Sequence, residues 1–175
     1  MSIDWQGMVE RFDYGHIYHL IILPFYNEPE EVVHASLESL AQSRYDHKSL
    51  IIVLACEARA GEGARLLAER MKEKWGDAFG YFHVSVHPAD IEGEMAGKGS
   101  NATWAAEEVR RNVLDSHDIR YNHVLVSIFD IDTVVYPDYF NCLVWHFMTA
   151  ARPLKSSFQP VPLFNNNMWE ASPLA

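Results

Sequence analysis

Several residue types and patterns that define a protein's class are scarce in this sequence of 175 residues. There are only two cysteines, Cys56 and Cys142, and each lies in or beside an apolar run, which favours buried reduced thiols over a disulfide framework. The N-terminus is polar and acidic and lacks the pattern of a signal peptide. No apolar run reaches the roughly 18–20 residues that span a bilayer. From these absences we expect a cytoplasmic protein.

Positive charge is also in short supply, with 14 basic residues against 24 acidic ones and a formal net charge of −10. Such a surface repels nucleic acid and anionic membranes, so neither is an expected partner. An anionic ligand would need local cations or a helix N-terminus to offset this field. Any anion-binding site should therefore contain one of these two devices.

Apolar runs of strand length alternate with segments of helical periodicity along the chain. The predicted strands cover 17–25, 49–56, 79–87 and 122–130, and the predicted helices cover 29–44, 61–77, 100–115 and 136–151; a further strand or extended loop is predicted at 155–164. Strands without a polar face, joined by helices, are typical of a parallel sheet covered on both sides. The sequence thus predicts an α/β fold of Rossmann-like type, with a mostly parallel sheet and helices on both faces.

Ligands of such sheets bind beyond the carboxyl ends of the strands, where the segment "FDIDTVV" follows the fourth predicted strand. In an extended segment the side chains of Asp130 and Asp132 point to the same side. Hard divalent cations such as Mg²⁺ or Mn²⁺ use carboxylate oxygens together with phosphates and water. The pair therefore predicts a metal site, and the alternative is a strand that ends in solvated acids.

The segment "GKGSN" precedes the third predicted helix of the alternating pattern. Gly97 and Gly99 allow a close backbone approach, Lys98 supplies a charge for phosphate, and Ser100 or Asn101 is the predicted N-cap. The spacing of a phosphate-binding P-loop is missing. A solvated lysine in a glycine turn is the alternative interpretation.

Two further strand ends carry polar residues. The segment "PFYNEP" offers Tyr26 for stacking and Asn27 and Glu28 for polar contacts, although a simple strand-to-helix turn would have the same sequence. The segment "CEARAG" offers Glu57. The nine histidines show no convincing metal-binding spacing, and we interpret them as structural or surface residues.

Taken in order, the segments "ILPFYNEPEEVVHASLESLAQSRY", "LIIVLACE", "GKGSNATWA" and "VSIFDIDTVVYPDYF" resemble an inverting family-2 glycosyltransferase of the GT-A fold, over roughly residues 17–170. The resemblance implies a nucleoside-binding loop formed by Pro24, Tyr26, Asn27 and Glu28. It places Lys98 and Asn101 near the donor. It assigns the D-x-D motif, Asp130 and Asp132, to the sugar nucleotide and to the divalent metal, Mg²⁺ or Mn²⁺.

The chain departs from this family at two places. Glu57 stands where the family usually carries an aspartate that contacts the base. The family's catalytic base and its Q-x-x-R-W-type motif, which follow the D-x-D motif, have no counterpart here; Glu170 does not match the base.

The resemblance implies that residues 1–175 are one donor-binding domain of a longer enzyme of polysaccharide biosynthesis, with an incomplete acceptor half. The remainder of such an enzyme is membrane-embedded in many relatives. The expected ligand is a UDP- or GDP-sugar, and the acceptor glycan or lipid is left open.

Three other functions are compatible with parts of the pattern. In a haloacid-dehalogenase-like phosphatase, Asp130 would be the nucleophile and Asp132 the acid/base, but that motif normally opens the fold and needs later acidic residues. A module that binds a nucleotide sugar without catalysis explains the missing base. A sugar nucleotidyltransferase would need an N-terminal glycine-rich loop with a basic residue, which the sequence lacks.

Overall fold

A four-stranded sheet forms the centre of the computed structural model, which describes residues 3–89, 91–95 and 97–160. The strands are β1 (Tyr18–Phe25), β2 (Leu50–Glu57), β3 (Tyr81–His87) and β4 (Val124–Ile128). They lie in the order β3-β2-β1-β4, and every pairing is parallel. The prediction of a parallel sheet is confirmed.

Helices cover both faces of this sheet. They are α1 (Trp5–Val9), α2 (Glu30–Ala41), α3 (Glu62–Trp75), α4 (Lys98–Val109) and α5 (Tyr139–Thr149). One face is covered by α1, α2, α3 and α5, and the core there includes Leu23, Leu37 and Phe140. The other face is covered by α4, whose Ala105 packs with Ile22. The predicted α/β fold with helices on both faces is thus confirmed. No helix in the described part of the chain is long and apolar enough to cross a membrane.

The two central strands explain why the sequence shows unbroken apolar runs. Every residue of β2 is buried, and only the first residue of β1 is partly exposed. Alternate side chains enter the two cores, with Ile21 and Leu23 on one side and Leu20 and Ile22 on the other. A strand buried on both faces needs apolar residues at consecutive positions, which removes the period of two that a half-exposed strand shows.

Several element boundaries differ from the predicted ones. Helix α1 was not predicted, because five residues are too short for a helical period to be recognised. Helix α5 begins at Tyr139 and not at Pro137, whose carbonyl accepts a hydrogen bond from the backbone N–H of Arg44 at 2.8 Å. Residues 153–155 form a 3₁₀ turn and 156–160 contain no strand, so the described part of the segment predicted as a strand or an extended loop is a loop. Its remaining residues, and Glu170, lie outside the described residues.

A histidine lies at the centre of the core. His19 in β1 is fully buried, with its ring 4.6 Å from that of Tyr45 and 4.7 Å from that of Phe140. Neither ring nitrogen has a hydrogen-bond partner among the described residues. Burial penalises the charged imidazolium and lowers the pKa of His19 from 6.5 to about 3. The ring is therefore neutral in the folded protein over the whole physiological range.

This burial makes folding stability depend on pH. The unfolded chain binds a proton at His19 below its ordinary pKa, whereas the folded chain does not, so stability is lost as the pH falls. The quantity to follow is the free energy of unfolding of His19→Phe minus that of the wild type. As the pH falls from about 6 to about 4, we expect this difference to rise by about 1.4 kcal/mol per pH unit. Urea unfolding at several pH values measures this difference.

The companion variant His19→Gln has a polar side chain that does not titrate in this range. A loss of pH dependence in both variants traces the effect to titration of the ring, since the two replacements differ in polarity. A constant difference between wild type and variants across this pH range would contradict the prediction.

Helix α2 holds the segment that follows β4. The hydroxyl oxygen of Ser36 lies 2.5 Å from the carbonyl oxygen of Ile131 and 2.8 Å from that of Thr133, so both carbonyls are within hydrogen-bond distance of this one donor. The hydroxyl of Ser39 accepts the backbone N–H of Val135 at 3.2 Å. Ile131 and Val135 are also buried in the core. These contacts fix the backbone on which the two predicted metal-binding aspartates lie.

Removing the hydroxyl of Ser36 leaves the carbonyl oxygens of Ile131 and Thr133 without this donor. We expect Ser36→Ala to lower the free energy of unfolding by about 1–3 kcal/mol, as measured by urea unfolding. Ser156→Ala is the matched control, because Ser156 also donates to a backbone carbonyl, that of Arg152 at 2.8 Å, but at an exposed position. Water replaces the lost bond there, so we expect a change within about 0.5 kcal/mol. Equal losses in both variants would show that the contacts of Ser36 do not stabilise the segment.

Candidate active site

A cleft of about 490 Å³ opens at the carboxyl ends of β1, β2 and β4. Every predicted site residue except Asn27 lines it: Pro24, Tyr26, Glu28, Glu57, Lys98, Asn101, Asp130 and Asp132. The apolar residues Phe25, Val32 and Ile131 complete the lining. Residues from four separate segments therefore meet at the sheet edge, where parallel α/β folds bind ligands.

The loop after β1 is organised by its own side chains. The carboxylate of Glu28 accepts the backbone N–H of Tyr26 at 2.6 Å. The hydroxyl of Tyr26 donates to the carbonyl oxygen of Arg59 at 3.2 Å, which joins this loop to the end of β2. Asn27 is exposed and is not among the residues that line the cleft, so the structure does not bring it together with the other predicted residues.

The end of β2 carries an ion pair that the sequence did not predict. Glu57 is only 8% exposed, and its carboxylate accepts a hydrogen bond from Nε of Arg59. The bond to this carboxylate raises the pKa of Arg59. The guanidinium lies 5.6 Å from the ring centroid of Tyr26, within the range of a cation–π contact. Arg59 is two positions after Glu57, a spacing that would have allowed it to be included with the site.

Lys98 is placed at the N-terminus of α4. The predicted N-cap, Ser100 or Asn101, is wrong: the N-cap is Gly97, and no side chain of the described residues caps the helix. The hydroxyl of Ser100 instead donates back to the carbonyl of Met95 at 2.6 Å. Because the helix begins at Lys98, the N-terminus of α4 and the lysine side chain lie together at the cleft. Both features favour an anion there.

Asn101 is a buried polar residue on α4. It is 1% exposed, and its Nδ2 donates to the carbonyl oxygen of Ala55 in β2 at 2.8 Å. Its Oδ1 has no hydrogen-bond partner among the described residues. Asn101 therefore joins the start of α4 to the sheet, and this contact sets where Lys98 lies above the strand ends.

The two aspartates are presented on a turn and not on an extended segment. Strand β4 ends at Ile128, and the backbone N–H of Thr133 donates to the carbonyl of Asp130 at 2.9 Å, which closes a turn over 130–133. The prediction that Asp130 and Asp132 share one side of an extended strand is therefore wrong, although both line the cleft. Between the two aspartates, the side chain of Ile131 is buried in the core.

Asp130 is engaged by a cation of the protein itself. The Nζ of Lys98 forms an ion pair with Oδ1 of Asp130, and the lysine and aspartate side chains are 50% and 71% exposed. A carboxylate that was predicted to bind a metal is thus paired with a lysine ammonium. In the described part of the chain no group of three or more His, Cys, Asp or Glu residues is arranged to hold a metal ion. Two carboxylates with a ligand's phosphates and water are, however, the usual surroundings of Mg²⁺.

One histidine contributes to the frame of the site. His87 ends β3 and is paired with Glu57 of β2 in the sheet register. Its Nε2 lies 2.8 Å from the carboxylate of Glu94, and its ring lies 5.6 Å from that of Trp104. His87 therefore ties the loop that leads to Lys98 to the sheet. This structural role agrees with the interpretation of the histidines, but the contact itself was not predicted, because it needs the loop to fold back.

Comparison with known proteins gives little that bears on function. No family model and no curated protein sequence matches the chain at a significant level. Among solved structures, a mannosyltransferase from Pyrobaculum calidifontis, in complex with GDP-Man and Mn²⁺, aligns with 81% of this chain at 17% identity and a TM-score of 0.49. The alignment covers 37% of the mannosyltransferase chain, so this chain corresponds to little more than a third of it. An identity and a TM-score this low establish neither a shared fold nor a shared activity.

Proposed function

We propose that the cleft is the donor site of a glycosyltransferase, which binds a nucleoside-diphosphate sugar together with a divalent cation. The observation that carries the proposal is the meeting of three kinds of group in one cleft. Tyr26 offers an aromatic surface, Lys98 offers a cation at a helix N-terminus, and Asp130 and Asp132 offer paired carboxylates. A nucleoside diphosphate has a ring system, a polyanion and oxygen ligands for a metal, which match these groups in turn.

The nucleoside would lie at the Tyr26 end of the cleft. The Tyr26 ring, held by its bond to Arg59, is a stacking surface for a base. The carboxylate of Glu57 is an acceptor for a ring N–H of the base, and Arg59 holds that carboxylate in place. Uracil and guanine both carry such an N–H group, so UDP- and GDP-sugars remain the two candidate donors.

The diphosphate would lie between Lys98 and the aspartate turn. The ammonium and the N-terminus of α4 bind anionic oxygens, and the carboxylates of Asp130 and Asp132 would hold Mg²⁺ or Mn²⁺. When bound, the metal supplies Lewis-acid stabilisation of the charge on the departing diphosphate. In a chain of net charge −10, the cation also offsets the repulsion between these carboxylates and the ligand.

The proposed reaction is an inverting displacement at the anomeric carbon by a hydroxyl of a glycan or lipid acceptor. The acceptor oxygen forms a bond to that carbon as the bond to the diphosphate breaks, and a general base takes the hydroxyl proton. We propose that this base belongs to a longer enzyme, of which residues 1–175 form the donor-binding domain and of which the remainder is membrane-embedded. Within this chain the residues act by binding and orienting the donor.

The proposal is tested by calorimetric titration with GDP, UDP and CDP, each with and without Mn²⁺. We expect at least one of these nucleotides to bind, and to bind about tenfold or more tightly with Mn²⁺, because the metal joins two anionic partners. Absence of binding under all six conditions would rule out a donor site. Turnover of the corresponding sugar nucleotide then separates a transferase from a module that only binds.

A second prediction concerns Asp132. We expect Asp132→Asn to weaken Mn²⁺-supported nucleotide binding by at least about tenfold, since even indirect partners of metal ligands contribute 10–100-fold. Because the residue is exposed in a turn, the free energy of unfolding should change by no more than about 0.5 kcal/mol. Asp77→Asn is the matched control, since this exposed aspartate precedes β3 at the opposite edge of the sheet. Unchanged metal-dependent affinity in Asp132→Asn would assign the aspartates to a solvated turn.

A further inference from the structure

The ion pair between Lys98 and Asp130 spans the proposed diphosphate site. The two residues are 32 positions apart in sequence and approach from different elements, α4 and the turn after β4. Both line the cleft. A group proposed to bind phosphate is therefore in contact with a group proposed to bind metal, so a ligand competes with each of them for the other.

The charges that line the cleft oppose either component of the ligand when it arrives alone. Among the described lining residues, Lys98 is the one basic side chain, whereas Glu28, Glu57, Asp130 and Asp132 are acidic. A free diphosphate meets this excess of carboxylates. A free divalent cation is repelled by the Lys98 ammonium, which is already paired with the carboxylate of Asp130. A cation bound to a diphosphate offers the carboxylates a metal and offers the lysine an anion at the same time.

We propose that the ligand of this site is a preformed complex of a divalent cation and a nucleoside diphosphate, and that Lys98 moves from Asp130 to a phosphate oxygen as the complex enters. The inference rests on the proposed function, since it concerns the same donor site. It adds that Lys98 excludes the free metal and binds the nucleotide, so its two effects on affinity have opposite signs.

The movement of Lys98 from Asp130 to a phosphate costs little free energy and needs only a small displacement. Both side chains of the pair are at least half exposed, and exposed pairs contribute at most about a fivefold factor to an equilibrium. Lysine has a long flexible stem with a compact charged end, so the ammonium can change partners while the backbone stays in place. The backbone at Lys98 is held by α4, which Asn101 joins to β2.

The test compares Lys98→Met with Lys72→Met, a matched control that removes a lysine from an exposed position of α3. Binding of Mn²⁺ alone is followed by electron paramagnetic resonance. Binding of GDP or UDP in saturating Mn²⁺ is followed by calorimetry. For Lys98→Met we expect Mn²⁺ alone to bind about two- to fivefold more tightly, and the nucleotide to bind about tenfold or more weakly. The control should leave both affinities unchanged, and Lys98→Arg should keep Mn²⁺ binding at the wild-type level.

The outcomes separate this inference from the proposal on which it rests. Opposite changes in the two affinities support the exchange. A parallel loss of both would show that Lys98 holds the aspartate turn in place, and unchanged affinities would show an ordinary surface ion pair; either result overturns the exchange and leaves the donor site standing. If the wild type binds neither Mn²⁺ nor any of the nucleotides, the proposed function itself fails. Circular dichroism of each variant identifies any that does not fold.

Discussion

The position of β1 between two parallel partners is the constraint on which the site depends. In the register of the sheet, Phe25 lies beside Cys56 of β2, and Ile22 lies beside Ile128 of β4. Parallel pairing on both sides makes three strands end at the same edge, so the segments that follow them must meet there. A shift of one residue would turn the core side chains of β1 to the wrong faces, and burial on both sides opposes such a shift.

Carboxylates gathered at one edge would repel each other if they were left to solvent alone. Donors within the protein offset this repulsion. Glu28 accepts a backbone N–H, Glu57 accepts from Arg59, and Asp130 accepts from Lys98. The bonds differ in exposure, since Glu57 is 8% exposed whereas the Asp130 side chain is 71% exposed. A ligand can therefore replace the contact of Asp130 far more easily than that of Glu57, which suits Asp130 to a change of partner and Glu57 to the role of an acceptor fixed in place.

Most of the fold and much of the cleft followed from patterns along the chain. Continuous apolar runs predicted strands buried on both faces, and β1 and β2 are buried in this way. Polar residues in the segments that follow the strands predicted the lining of the cleft, with Asn27 as the exception. Boundaries were less predictable, because they depend on hydrogen bonds to distant segments. The carbonyl of Pro137, for example, is used by Arg44 and not by a helix.

The order of apolar runs and polar loops was thus enough to predict a parallel α/β sheet and the edge at which its functional residues gather, since both depend on local period and chain direction. The tertiary structure alone established which of those residues touch. The pairing of Lys98 with Asp130, the burial of Asn101 against β2 and the contact of Ser36 with Ile131 join residues 32 to 95 positions apart. Such contacts follow from how the elements pack in space, and no local pattern of residue types encodes that packing.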